Sequence, residues 1–184
     1  ILGFKNCISY YMVSSNFTFL EKEYPALCRL GILVEKNIYE DPSTTLTKLR
    51  IFSEQITLML GNFEGFHDFE ESSQFERLKE LDHSSIVPRE IKDILHKLRK
   101  SGNKGSHTGE ASGAEARFML RQAFFLSVWF YELYEEEDID LEFKMPSKDF
   151  NTKHLLEKVK EELETTKEEL EALKLKAISY QAVS

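Results

Sequence analysis

The sequence predicts an all-α protein, a helical bundle followed by a separate C-terminal helix of coiled-coil type. Three observations lead there. Gly and Pro are sparse, 8 and 4 of 184 residues, while Leu, Glu and Lys abound. Apolar residues recur at helical spacings along most of the chain. From Lys153 onward that pattern tightens into a heptad repeat. The length suits one domain with a real core plus an appendage. The organisation read from it is a leader or added segment over 1–14, with Met12 as the expected native start, a helical domain over 15–146, and a linker with the start of a coiled-coil helix over 147–184.

Taken in order, Ser15 or Asn16 caps a first helical region carrying Phe17, Phe19, Leu20, Tyr24, Leu27, Leu30, Leu33 and Val34. Pro25 divides it into a short turn and a helix of about 24–39. Asp41-Pro42 restarts the chain, Asp as cap and Pro in the first helical position. Leu46, Leu49, Phe52, Ser53, Ile56, Met59 and Leu60 form the core stripe of that second helix, with Gly61 as its expected end. A loop over 62–73 is anchored by Phe63, Phe66 and Phe69. Phe75, Leu78 and Leu81 give a short helix. Ser84 or Ser85 caps the next, about Pro88 to Lys100, with Ile91, Ile94, Leu95 and Leu98 on one face. Gly102 is the expected stop, since the residue after a helix usually needs positive φ. Ala114 to Tyr134 is so apolar that burial on most sides is expected. An acidic exit at 135–140 leads to a linker around Pro146.

In the last segment Leu156, Val159, Leu163, Thr166, Leu170, Leu173, Ala177 and Tyr180 alternate steps of 3 and 4, with Glu and Lys almost everywhere else. That is a coiled-coil seam, and a homodimer through it is one expected partnership.

The formal net charge is −8, which argues against a protein that coats nucleic acid generically. The charge is uneven, however. Residues 89–121 hold eight Lys or Arg against four acids. Lys97, Lys100, Lys104, Arg117 and Arg121 are therefore candidate phosphate contacts, with solvated helix faces as the simpler reading. Cys7 and Cys28 make neither a metal pattern nor a disulfide framework, which fits a reducing, cytoplasmic setting. No apolar run approaches the ~18 residues of a membrane span. The five histidines show no HxxH or HExxH spacing, so no metal site is expected. There is no GxGxxG after a strand, no P-loop and no GxSxG.

What remains is a polar corner where Arg99, Asn103 and His107 meet the most apolar helix. One reading is catalytic. His107, held neutral near Arg99, could accept a proton from a ribose 2′-hydroxyl while Arg99 or Lys104 steadied the phosphate. Such a metal-independent ribonuclease needs a second corner, hence a dimer. The other reading is structural. Asn103 would bond exposed carbonyls at the helix end, and His107 would cap the next helix or bond Glu54. Arg50 and Glu54 likewise are either a surface pair four residues apart or a buried pair facing the corner. The expectation adopted is a structural polar cluster of Arg50, Glu54, Arg99, Asn103 and His107, with no catalytic residue of its own.

Four motifs bear a resemblance. They are Ser15-Asn-Phe-x-Phe-Leu, Asp41-Pro-x-x-x-Leu-x-Lys-x-Arg-x-Phe-x-Glu54, His96-Lys-Leu-Arg-Lys-x-Gly-Asn-x-x-x-His107 and Leu126-Ser-Val-Trp-Phe-Tyr131. In this order, over about 15–146, they resemble the N-terminal region of type I restriction enzyme R subunits. The resemblance implies a HEPN-like helical domain, whose ribonuclease members carry an Arg…His motif. Here seven residues separate Arg99 from His107, wider than that motif's usual spacing. It also implies that ATP-driven translocation and DNA cleavage, with ATP and Mg as cofactors, belong to other domains of the parent, and that this region uses none. The implied partners are the remaining R-subunit domains, the methyltransferase and specificity subunits, and DNA backbone.

Overall fold

The computed structural model describes residues 15–108, 111–135, 138–148, 160 and 163–173, with backbone only for 106–108. Among them the fold is all-helical. A 3₁₀ turn at Thr18–Leu20 precedes α1 (Pro25–Asn37), α2 (Pro42–Glu64), α3 (Gln74–His83), α4 (Arg89–Thr108) and α5 (Gly113–Glu135). A further helix, α6, runs over 163–173. The chain divides into two compact units, Ile1–Pro146 and Ser147–Ser184.

In the first unit α2 is the central helix and touches α1, α3, α4 and α5. Its sequence explains why. Leu46, Leu49, Phe52, Ile56 and Leu60 are buried, and they fall on one stripe at helical spacing. Asp41 caps the start, its side chain accepting from the Thr44 N–H at 2.9 Å. That bond holds the Asp41 carboxyl below its ordinary range. The helix does not end at Gly61, as its sequence suggested, but runs to Glu64 and stops at Gly65, whose φ of 70° is the left-handed cap. Gly61 serves packing instead: a Cβ there would enter the ring of Phe69. Phe69 is buried and stacks on Phe66 with ring centroids 5.0 Å apart, so the loop after α2 is seated on the helix it leaves.

Ser73 and Glu76 close a capping box at the start of α3. The start of α4 differs from expectation. Pro88, not Ser84 or Ser85, stands at the cap, its carbonyl accepting from the N–H groups of Ile91 and Lys92 at 3.1 Å each. Ser84 turns its hydroxyl to the Ile86 N–H at 3.1 Å.

The core is aromatic where the first turn, α2 and α5 meet. Phe17 lies edge-on to Phe52 and Phe124, with centroids 5.3 and 6.3 Å away, and Tyr24 to Phe130 at 5.0 Å. Phe17 also fills the space over Gly31 on α1, where a Cβ would collide with its ring. α5 is less enclosed than its composition suggested. Phe124, Leu126 and Phe130 are buried, but Phe118, Phe125 and Leu133 stand exposed. The apolar surplus of α5 extends beyond the stripe that faces the core.

Candidate functional site

The largest departure from the sequence reading is at Gly102. α4 does not break there; it continues to Thr108. The only positive-φ glycine among the described residues is Gly65. Gly102 is needed for closeness. A Cβ on it would lie against the Arg50 Cβ, 3.1 Å from the Arg50 Cγ and 2.9 Å from the Leu46 carbonyl oxygen. One turn on, a Cβ on Gly105 would sit 3.2 Å from both the Leu46 Cβ and the Ser43 carbonyl oxygen. The two glycines form a smooth seam that brings α4 onto α2. The Ser43 hydroxyl crosses it to the Gly105 carbonyl at 3.3 Å.

Beside this seam Arg50 joins two candidate residues. Its Nη1 donates to the Asn103 Oδ1 at 2.8 Å, and its Nε lies 3.1 Å from the Glu54 Oε1. The Nε contact is an ion pair without a linear hydrogen bond. Both side chains are about three-quarters buried, 29% and 26% exposed, so the pair is neither a free surface bridge nor a fully desolvated one. Asn103 therefore does not cap a helix end, since no end exists there; it accepts from a helix packed alongside.

Arg99 shares a face of α4 with Asn103, four residues away. Its guanidinium lies over the Phe75 ring of α3 at 5.3 Å, and its buried Nε has no hydrogen-bond partner. On a continuous helix, 99, 103 and 107 follow one another at four-residue steps. His107 is in α4 by its backbone, but its side chain lies outside the described residues. Arg50, Glu54 and Asn103 are thus brought into contact, Arg99 reaches a different neighbour, and His107 is placed only by register.

Lys97, Lys100 and Lys104 are exposed on α4. Arg117 lies over Tyr39 at 5.9 Å, and Arg121 over Phe125 and Phe143 at 5.7 and 5.9 Å. Both arginines lean on aromatic rings. Of the seam, Leu163, Leu170 and Leu173 are exposed on α6, whereas Leu156 and Val159 lie outside the described residues. Among the described residues no three His, Cys, Asp or Glu side chains gather as metal ligands would. None of the described helices is long and apolar enough to cross a membrane.

The domain of unknown function DUF4145 matches residues 34–139, which takes in α2 to α5 and the whole α2–α4 seam. The chain belongs to the DUF4145 family. A relative is the type I restriction enzyme EcoKI endonuclease subunit of Escherichia coli strain K12, 33% identical over 135 residues. That alignment covers 73% of this chain and 11% of the relative's length. No solved structure matches.

Sequence reasoning missed a node of which only Glu35 falls within the DUF4145 match. Glu35 on α1 is buried, and its Oε1 accepts from the Asn16 backbone N–H at 3.1 Å and from the Asn16 Nδ2 at 2.5 Å. Asn16 also donates to the Lys144 carbonyl at 2.7 Å and accepts from the Lys144 N–H at 2.8 Å. One side chain thus ties the start of the described chain to α1 and to the segment after α5. Burial pushes the Glu35 carboxyl above its ordinary range, against the lowering effect of bonds from Ser15 and Asn16. The sequence signal was Asn16 itself, which reads as a helix cap and acts instead as a clasp. Similar ties end α2 and α5: Tyr134 donates to Glu64 at 2.8 Å and Tyr24 to Glu135 at 2.6 Å. Burial, followed by the bond to its carboxylate, raises each phenol. Ser101 links α4 to α5 through Glu115 at 2.9 Å.

Proposed function

We propose that this chain is the N-terminal accessory domain of a type I restriction endonuclease (R) subunit, HEPN-like in its helical arrangement and without catalysis of its own. Identity to the E. coli endonuclease subunit over 135 residues is the observation that carries the reading. The fate of the polar corner supports the non-catalytic part. Asn103 is engaged by Arg50, and Gly102 and Gly105 are used in bringing two helices together. A side chain that fixes a helix crossing acts through packing, and its loss unfolds rather than slows.

On this reading ATP- and Mg-dependent translocation and DNA cleavage belong to other domains of the parent. The domain works in the cytoplasm, against the remaining R-subunit domains and the methyltransferase and specificity subunits. Lys97, Lys100, Lys104, Arg117 and Arg121 are its candidate contacts to DNA backbone in that assembly. The test is co-purification of the full chain with co-expressed methyltransferase and specificity subunits of the same host, with and without duplex DNA. A stable complex is expected, and any DNA contribution to it weakens steeply as salt rises. A chain that joins neither the subunits nor DNA overturns the proposal.

A further inference from the structure

The second unit carries a surface that the accessory-domain reading does not use. Over 163–173 it is helical, and Leu163, Leu170 and Leu173 are 52%, 51% and 62% exposed. Steps of seven and three put all three on one face. With Leu163 and Leu170 at heptad position a, Thr166 and Leu173 fall at d. Read from the sequence, the flanking letters are segregated from 160 to 174, and the next g position, 176, is Lys. Position e is Lys at 160, 167 and 174, and position g is Glu at 162 and 169. In a parallel pair of helices, g of one chain meets e of the next heptad in the other, so Glu162 faces Lys167 and Glu169 faces Lys174, twice over by symmetry. In an antiparallel pair g meets g and e meets e. Glu would then face Glu, and Lys would face Lys.

We infer that α6 is covered by α6 of a second copy of this chain, in a parallel, in-register coiled coil. The leucine face supplies the area, and the segregated charges choose both the partner and its direction. An unrelated helix would need the same Lys-e, Glu-g arrangement, and a second copy has it by construction. Thr166 puts a hydroxyl where a leucine would pack best, so the association is reversible and concentration-dependent. The inference rests on the C-terminal unit alone and is independent of the restriction-enzyme reading.

Sedimentation equilibrium of the full chain from low micromolar to several hundred micromolar tests it, beside the double variant Glu162→Lys, Glu169→Lys and the variant Leu170→Asp. All three positions lie in the second unit, so the first unit's fold, checked by circular dichroism, is expected to be unaffected. The expected result is a monomer–dimer equilibrium in the wild type. The charge variant should weaken it at least tenfold, and Leu170→Asp should abolish it. A wild type that stays monomeric throughout overturns the inference. So does a dimer that the charge variant leaves unchanged, since an antiparallel pair already sets Glu on Glu and Lys on Lys.

Discussion

Replacing Gly102 with Ala separates a packing glycine from an ordinary helix glycine, and Gly105→Ala is its control. Both residues lie inside α4. In an unobstructed helix each replacement would gain about 0.8–1.0 kcal/mol of propensity. The seam sets them apart. The Gly105 methyl would meet the Leu46 Cβ and Ser43 O at 3.2 Å, which asks its neighbours to give by a few tenths of an ångström. The Gly102 methyl would overlap the Arg50 Cβ and lie 2.9 Å from the Leu46 carbonyl oxygen. Neither atom can leave by a rotamer change, since one is backbone and the other is fixed to it. The helices must part, stretching the Arg50–Asn103 bond beside them. Overpacking of this kind costs about 1–3 kcal/mol, and loss of a charge-assisted bond about 1 more. Net of the propensity gain, Gly102→Ala is expected to lose about 1–3 kcal/mol, lowering Tm by roughly 2–12 °C for a chain of this size. Gly105→Ala should stay within about 0.5 kcal/mol of wild type. Urea denaturation with matched m-values measures both. If Gly102→Ala is as stable as wild type or more so, the close crossing of α2 and α4 is refuted.

Three further outcomes follow from the polar contacts. A double-mutant cycle on Arg50→Ala and Asn103→Ala should return a coupling of about 1 kcal/mol, and additive effects would mean that the 2.8 Å bond contributes nothing. Glu35 titrates high because it is buried. A carboxyl raised on folding gives stability that is complete below its unfolded value, about 4.3, and is lost as pH rises through its folded value. Glu35→Gln keeps a carbonyl for both Asn16 donors and removes the buried charge. Its stability relative to wild type should therefore climb from pH 4 toward neutrality, and parallel pH profiles would sink that account. Glu35→Ala leaves the Asn16 donors without their acceptor and should cost about 1–3 kcal/mol.

Local chemistry made much of the fold readable in the sequence. Asp41-Pro42 marks the start of α2, and apolar residues three and four apart mark each buried stripe, because capping and burial act over one or two turns. Gly61 and Gly102 were misread for one reason. A glycine beside a helix looks the same in sequence whether it turns the chain or admits a neighbour. The difference lies in Phe69 and Arg50, 8 and 52 residues away. The candidate site was legible as a set of residue types but not as a set of contacts. Arg50 and Glu54 were read as either a surface pair or a buried one facing the corner; the pair is partly buried and Arg50 also bonds Asn103, so it lies between the two and faces the corner. The Asn16–Glu35–Lys144 clasp showed in the sequence only as a capping residue at Asn16, since its contacts link positions 19 and 128 residues apart.

The central claim is that the Arg50–Asn103 corner holds helices together and cuts nothing. Its most direct test is incubation of the full chain with single-stranded RNA in EDTA, at concentrations that allow self-association, beside His107→Ala and Arg99→Ala. The account predicts intact RNA in every lane, whichever variant is present. Cleavage by the wild type that disappears in His107→Ala would contradict it and make the face of α4 through 99, 103 and 107 an active site.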